Sequence, residues 1–344
     1  MRFGLQIIPE FDSVEAFIEE IREAEELGFD PIMLADVVGI SKLRGRDLYT
    51  TLTLVATHTR RAQIGPCVTS PVARHMAMAA NAMASLDEIS GGRALFALGA
   101  GDTPVYLIGR KQAKLAELRA AVTFARAFFR GEAAEFEGRV MQSNWSRPHI
   151  PTLLAGDGPK ALALAGEVAD GAIVGSGLTA DVVRWGLKRV REGMARAGRK
   201  PGEVSLWVDG ICNIADTTRE AREIARRRIH IRINHNFRYG YNAVPPEHLA
   251  ECERYRREYN EDDVGPGSHN ADLITDYMID RFSIAGTPEE CLKRFQDLQD
   301  LGITGFISAT PFGQQVRRTF IRRLGKEVLP RLRRTPVGGL GRTS

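Results

Sequence analysis

Between Ala62 and Asp102 the chain reads AQIGPCVTSPVARHMAMAANAMASLDEISGGRALFALGAGD. An apolar segment ends in polar residues, a long segment of helical composition follows, Gly91-Gly92 stops it, and a second apolar segment opens into a glycine-rich loop. Two parallel strands need a crossover of about a dozen residues or more between them, and Met76–Ser90 supplies that length. Cys67, Thr69 and Ser70 fall just past the first strand, and Gly99, Gly101 and Asp102 just past the second. In a parallel barrel those positions face the C-terminal mouth, where chemistry is carried out.

Strand and helix signals alternate along nearly all of the remaining sequence. Apolar strand-like runs fall at 2–8, 31–36, 63–68, 94–98, 152–155, 172–174, 204–214 and 304–309. The first helix shows Val14, Phe17, Ile18, Ile21 and Leu27 at helical spacing, with Asp12 and Ser13 before it and Glu15 as capping-box partner of Asp12. Glycine stands at or near the helix stop in Leu27-Gly28-Phe29, Ala169-Asp170-Gly171 and Leu301-Gly302-Ile303, where a left-handed backbone suits it. Alternation of this kind builds a parallel sheet. Eight strands in about 310 residues fit an α/β fold, a (β/α)8 TIM barrel with insertions. A short hairpin is expected at 135–147, and a polar, aromatic excursion runs from about 234 to 282 with a helix at 247–259. So long an excursion is more often a functional lid or wall than idle loop. We therefore expect one domain over 1–333 and a disordered tail over 334–344.

The 43% of hydrophobic residues is ample for such a core. No window reaches the ~20 apolar residues of a membrane span, and MRFGLQIIPEF lacks the plan of a signal peptide. Cys67, Cys212, Cys252 and Cys291 are scattered, with no CxxC pair or metal-like cluster. That suits a reducing cytoplasm and no metal centre. The net charge of +4 is small, and its basic excess sits at 219–238 and at Arg317, Arg318, Arg322 and Arg323. We read these as solvated helix faces rather than a nucleic-acid groove, with long-range steering of a polyanionic cofactor as a further role.

Ile64-Gly65-Pro66-Cys67-Val68-Thr69-Ser70-Pro71, Arg74-His75, 84–93 (ASLDEISGGR) and Leu98-Gly99-Ala100-Gly101-Asp102 resemble the luciferase-like superfamily of flavin- and deazaflavin-dependent oxidoreductases, most of all its methylenetetrahydromethanopterin reductase branch. Ala155-Gly156-Asp157-Gly158-Pro159 and 169–177 (ADGAIVGSG) resemble its second half. The order and spacing of these motifs carry the resemblance, which spans 1–330. It implies a TIM barrel whose mouth holds the cofactor ring, hydride transfer to or from coenzyme F420 on a small organic substrate, and a homodimer. The alternative in the same family is a reduced-FMN monooxygenase supplied by a separate flavin reductase. A non-enzymatic flavin- or partner-binding barrel is the third reading.

The resemblance also implies a cis peptide at Cys67-Val68, forming a shelf for the ring; otherwise Cys67 is a small buried hydrophobe. Thr69 stands beside that shelf. Asp36 matches a carboxylate facing the cofactor, or it caps a loop, and Val37 stands where relatives often have histidine. Gly99 and Gly101 let the backbone approach a flat ring. Asp102 either holds a proton in an apolar mouth, its pKa raised, or caps a helix. Ala155, Gly156, Asp157 and Gly158 lead into a helix, and Gly175, Ser176 and Gly177 follow the next strand. Paired glycine-rich loops late in a barrel bind phosphate through backbone amides, and Ser176 adds a hydroxyl. Arg74 and His75 are candidates for an anionic tail or the surface. His235, His248 and His269 read as solvated loop residues. Trp145, Phe237, Tyr239 and Tyr241 are candidates for a ring wall.

Overall fold

The computed structural model describes residues 1–39, 44–145, 149–238, 240–263, 265 and 267–334. Tyr239 and residues 335–344 of the expected tail lie outside the described residues. All eight expected strands form: β1 (Arg2–Ile7), β2 (Ile32–Leu34), β3 (Ile64–Pro66), β4 (Phe96–Leu98), β7 (Thr152–Gly156), β8 (Gly171–Val174), β9 (Ser205–Ile214) and β11 (Gly305–Ala309). The expected hairpin is β5 (Ala134–Phe136) and β6 (Arg139–Met141). The parallel strands run in the order β3-β2-β1-β11-β9-β8-β7-β4. The two ends of that order meet. Ile64 N donates to Arg93 O at 2.9 Å, Leu95 N to Ile64 O at 2.8 Å, and Gly99 N to Thr69 O at 2.9 Å. The chain is a nearly closed (β/α)8 barrel.

A ninth strand, β10 (Ser283–Gly286), was not expected. It pairs with Ile211 to Ile214 of β9, taking over at Ile211, where the stretch paired with β11 ends. At four residues, closing an excursion of loop-like composition, it is too short to show a period of two. Helices cover the strands: α1 (Val14–Glu26), α2 (Leu48–His58), α3 (Met76–Ser90), α4 (Thr103–Leu107), α5 (Leu115–Phe129), α6 (Pro159–Val168), α7 (Ala180–Arg196), α8 (Thr218–Phe237), α9 (Pro246–Glu258), α10 (Asp276–Phe282), α11 (Pro288–Asp300), α12 (Gln314–Arg323) and α13 (Leu329–Arg334). Helix α8 runs past the expected start of the excursion at 234. Gly28 and Gly302 do take left-handed φ values of 92° and 90°. Gly171 does not; it lies inside β8.

Alternation along the strands separates two apolar layers. Met33, Cys67, Leu95, Leu153, Ile173 and Trp207 fill the barrel interior. Phe3, Phe96, Val208 and Phe306 face the helices instead, where Phe3, Phe29, Phe295 and Phe306 pack with ring centroids no more than 5.8 Å apart. Along β9, Trp207 points in and Val208 out, so Asp209 points in again, above the apolar interior. A separate cluster joins Ile229, Ile233 and Phe237 of α8 to Tyr255, Tyr259, Met278 and Phe282 of the excursion.

Helix α1 starts differently from the expectation. Ser13 is its N-cap, accepting from Ala16 N at 3.1 Å, while the Asp12 amide donates to Gln314 Oε1 at 3.1 Å. The cap is therefore one residue late for an Asp12–Glu15 box. Arg317 is no solvated residue either. It is 1% exposed and donates to both oxygens of Glu20, itself 0% exposed, and to Glu10 O at 2.9 Å. Gln314 Nε2 completes that carboxylate's shell at 3.0 Å. The pair joins α1 to α12, the first and last long helices of the ring. Arg322 does meet the expectation, pairing with Glu23 at the surface.

Removing one partner of a buried pair leaves the other charge stranded. Arg317→Ala is expected to destabilise the protein by about 3–5 kcal/mol. Arg322→Ala, at an exposed pair, should leave stability nearly unchanged. Denaturant unfolding of the two variants measures both.

Candidate active site

The mouth is built where strand ends meet α8. Arg228, Arg232 and His235 stand at i, i+4 and i+7, one face of that helix. Arg228 lies 4.2 Å over the Phe312 ring and donates to Thr310 O at 3.0 Å. Arg232 Nη2 donates to Asp157 Oδ1 at 2.9 Å, to Asp209 Oδ1 at 3.1 Å and to Gly175 O. His235 Nε2 is 3.0 Å from Asp157 Oδ2, and its Nδ1 is 3.2 Å from Asp102 Oδ2. Arg238, just past the helix end, meets Asp102 Oδ1 at 3.4 Å and Glu261 Oε2 at 2.8 Å, over the Tyr106 ring. Acids after β4 and β7 and on β9 thus alternate with bases from α8. Gly175 makes the meeting possible: a Cβ there would run into Arg232 Nη2 and Asp157 Oδ1.

The alternation fixes the charges. Burial works against a charge on His235, but Asp102 and Asp157 outweigh it and raise the ring's pKa to about 10. Burial would likewise raise Asp157, yet Arg232 and His235 hold it well below the carboxylate range. Asp102 is lowered against its own burial by His235 and Arg238. The expectation of a raised Asp102 is therefore overturned, because the mouth is not apolar around it. Asp209 goes the other way: burial raises it, Arg232 opposes, and Asp157 adds a like charge.

The other expected residues divide into those that line the mouth and those tied up within the protein. The Cys67-Val68 peptide is cis, and Gln6 Nε2 donates to Cys67 O. Burial pushes the Cys67 thiol up, Asp209 adds to it and Arg232 opposes, so the thiol is inert. A Cβ on Gly99 would lie 2.7 Å from Val68 Cγ2. Gly101 has φ 96° and packs on Ser70 and Val105. Ala155 packs on the barrel interior and Gly156 on Ala161. Asp102 stands at the N-cap of α4 but makes no capping bond. Asp36 has both oxygens engaged, accepting from Thr69 Oγ1 at 2.7 Å and from Arg74 Nη2 at 2.9 Å and Nε at 3.1 Å. Arg74 is therefore a brace between Asp36 and Asp47. Its neighbour His75 caps α3.

The two glycine-rich loops are unlike. Gly158 has nothing within 4 Å of a Cβ position, and α6 begins there without a side-chain cap. Ser176 is fully buried and donates to Asp157 O at 2.8 Å, so its hydroxyl serves the protein. Gly177, at φ 144°, packs against Arg281. Phe237 and Tyr241 belong to the excursion's cluster, and Trp145 lies half exposed, donating to Asn81. His248 stacks on Tyr277 at 3.9 Å, and His269 is exposed. His235 departs from the solvated-loop expectation, since Asp102 and Asp157 enclose it.

Asp209, Arg232, His235 and Arg238 were not among the expected site residues. Asp209 had a signal, a lone acid inside the apolar run LWVDGICNI. The bases had a spacing but no visible partners.

A family model described as luciferase-like monooxygenase matches residues 1–305. The 5,10-methylenetetrahydromethanopterin reductase of Methanolobus tindarius is 29% identical over 96% of this chain and 100% of that protein. An F420-dependent glucose-6-phosphate dehydrogenase of Nakamurella multipartita is 26% identical over 97% of each chain. The structure of the coenzyme F420-dependent tetrahydromethanopterin reductase of Methanopyrus kandleri superposes with a TM-score of 0.79 at 23% identity, covering 96% of this chain and 99% of that one.

His235 binds its proton more tightly folded than unfolded, so it contributes stability that is full below about pH 6.5 and lost as pH rises through about 10. Denaturant unfolding across that window should show stability falling with pH. His235→Gln should flatten the fall.

Proposed function

The chain belongs to the luciferase-like monooxygenase family, and from that premise we propose that it is an oxidoreductase working with coenzyme F420 on a small organic substrate. The observation that carries the reading is the mouth itself, an apolar barrel interior rimmed by the uncapped start of α6 and, beside it, by fixed charge. Two buried atoms near Gly175, Arg232 Nε and Asn236 Oδ1, also lack a hydrogen-bond partner among the described residues, so the rim has polar capacity to spare. Those features suit a group with a flat ring and an anionic tail.

The Cys67-Val68 backbone would lie against the ring, backed by Asp36, Thr69 and Arg74. Gly158 and the amides of Lys160 and Ala161 would hold phosphate, since a helix start carries unpaired N–H groups and partial positive charge. The bound deazaflavin supplies or accepts the hydride. The protein positions the substrate, shuts out water and handles the proton. The nearly full-length likeness to reductases and dehydrogenases named for F420 supports deazaflavin over FMN. 5,10-Methylenetetrahydromethanopterin and glucose 6-phosphate, the substrates of two relatives' names, are the first to try.

Fluorescence titration with F420 and with FMN tests the cofactor. F420 should bind and FMN should not; FMN binding with oxygen uptake on reduction would reverse the assignment. Gly158→Asp fits sterically, and its charge at the start of α6 should weaken F420 about tenfold.

A further inference from the structure

Among the described residues five carboxyl groups stand around the mouth, and four are held in ion pairs within the protein. Asp36 has both oxygens engaged by Thr69 and Arg74. Asp102 and Asp157 are gripped by His235, with Arg238 and Arg232 beyond. Glu261 pairs with Arg238 and Arg256 at the surface. Asp209 differs in its geometry. Its Oδ1 accepts one hydrogen bond from Arg232, and among the described residues Oδ2 has no partner on another residue. With 25% of its side chain exposed, the group remains open to the mouth.

Its position in the barrel is equally specific. β3 and β9 are four places apart in a ring of eight, so they face each other across the interior. Asp209 therefore looks toward the Cys67-Val68 peptide, the segment assigned above to the ring. The titratable groups that face it are Asp157 after β7, Arg232 and His235 on α8, and the neutral Cys67 thiol just past β3. Asp157 takes the same Arg232 nitrogen that Asp209 uses. The two N–H bonds of that nitrogen serve three acceptors, Asp157, Asp209 and Gly175 O, which leaves Asp209 incompletely balanced. Arg232 nonetheless stays close enough to receive the charge when Asp209 ionises, so both of its protonation states are supported.

We infer that Asp209 carries the proton that accompanies hydride transfer in this site. The inference rests on the functional reading above and deepens it. In the reductive direction, the Asp209 O–H bond breaks and its proton goes to the substrate heteroatom that is losing a bond to the reacting carbon. That atom is a carbonyl oxygen, whose π pair forms the new O–H bond, or one nitrogen of an N–CH2–N bridge, whose C–N pair forms the new N–H bond and leaves a C=N+ to the other nitrogen. The carbon gains hydride from the reduced deazaflavin, and a carboxylate remains beside Arg232. In the oxidative direction Asp209 takes the proton back. Burial and the Asp157 charge already favour its neutral form, which a donor near neutral pH requires.

Two measurements test this on the full-length protein. Carboxyl-carbon NMR of aspartate-labelled protein should show one resonance, lost in Asp209→Asn, that titrates above the ordinary aspartate range. With reduced F420 and 5,10-methylenetetrahydromethanopterin, Asp209→Asn should lower kcat about 100-fold or more, leave KM within about threefold, and abolish the pH limb assigned to the acid. Asparagine keeps the acceptor for Arg232, so the fold is retained, and Asp209→Glu should recover part of the rate. F420 binding to Asp209→Asn, read by fluorescence, should match the unsubstituted protein. Failure of the unsubstituted protein to bind F420 overturns the functional reading and this inference together. Normal binding with unimpaired turnover in Asp209→Asn, or titration of Asp209 in the ordinary range, overturns this inference alone.

Discussion

A charge removed from water must be matched by another, and here the matching joins three barrel strands to one face of one helix. Asp102, His235, Asp157, Arg232 and Asp209 form a continuous alternation. Losing Asp157 or His235 strands its neighbours, at a cost of several kcal/mol for a buried charge. The alternation therefore fixes where α8 lies over the mouth. The opposite face of α8 carries Ile229, Ile233 and Phe237, on which the excursion builds its own apolar cluster. A single helix of 20 residues thus ties the excursion to the barrel. Charge sets its place on one side, and apolar packing uses that place on the other.

The same arrangement divides rigid parts from adjustable ones. The acids sit on or just past strands, whose backbones are held by neighbours on both sides of the barrel. The bases come from a helix laid across the strand ends. Around neutral pH, Asp102 and Asp157 stay ionised and His235 stays protonated, because each is stabilised by the others. These groups supply a constant field. Burial, with the Asp157 charge adding to it, pushes Asp209 toward neutrality against Arg232 and His235, which is why the proton role is proposed for it and not for the others.

The barrel was legible because each of its eight strands is an apolar run ended by glycine, proline or polar residues, and because the crossovers between them have helical length. β10 was not, having four residues at the end of a polar excursion. Asp36, Cys67 and Val68 could be placed at the mouth since they follow directly from strand ends. The bases of α8 were visible as a periodic basic run, yet their partners lie far away in sequence: 75 residues separate Arg232 from Asp157 and 297 separate Arg317 from Glu20. A basic helix face with unseen partners reads as solvated. Asp102 was misjudged for the same reason, since its environment is made by His235 and Arg238 rather than by its own strand.

Two loops that look alike in sequence also serve opposite ends. Around Gly158 the missing Cβ leaves open space before an uncapped helix; at Gly175 the missing Cβ leaves a passage already filled by a guanidinium. Asp157 belongs to both, with its backbone in the first loop and its carboxylate on Arg232. Negative charge brought to the start of α6 would add to the charge of Asp157 and draw on the same Arg232 that balances Asp209. Coulomb interaction in a poorly solvated mouth is strong over such distances, and its sign favours the protonated form of Asp209. Filling the anion end of the mouth would therefore prepare the proton end, through two ion pairs and without movement of the backbone.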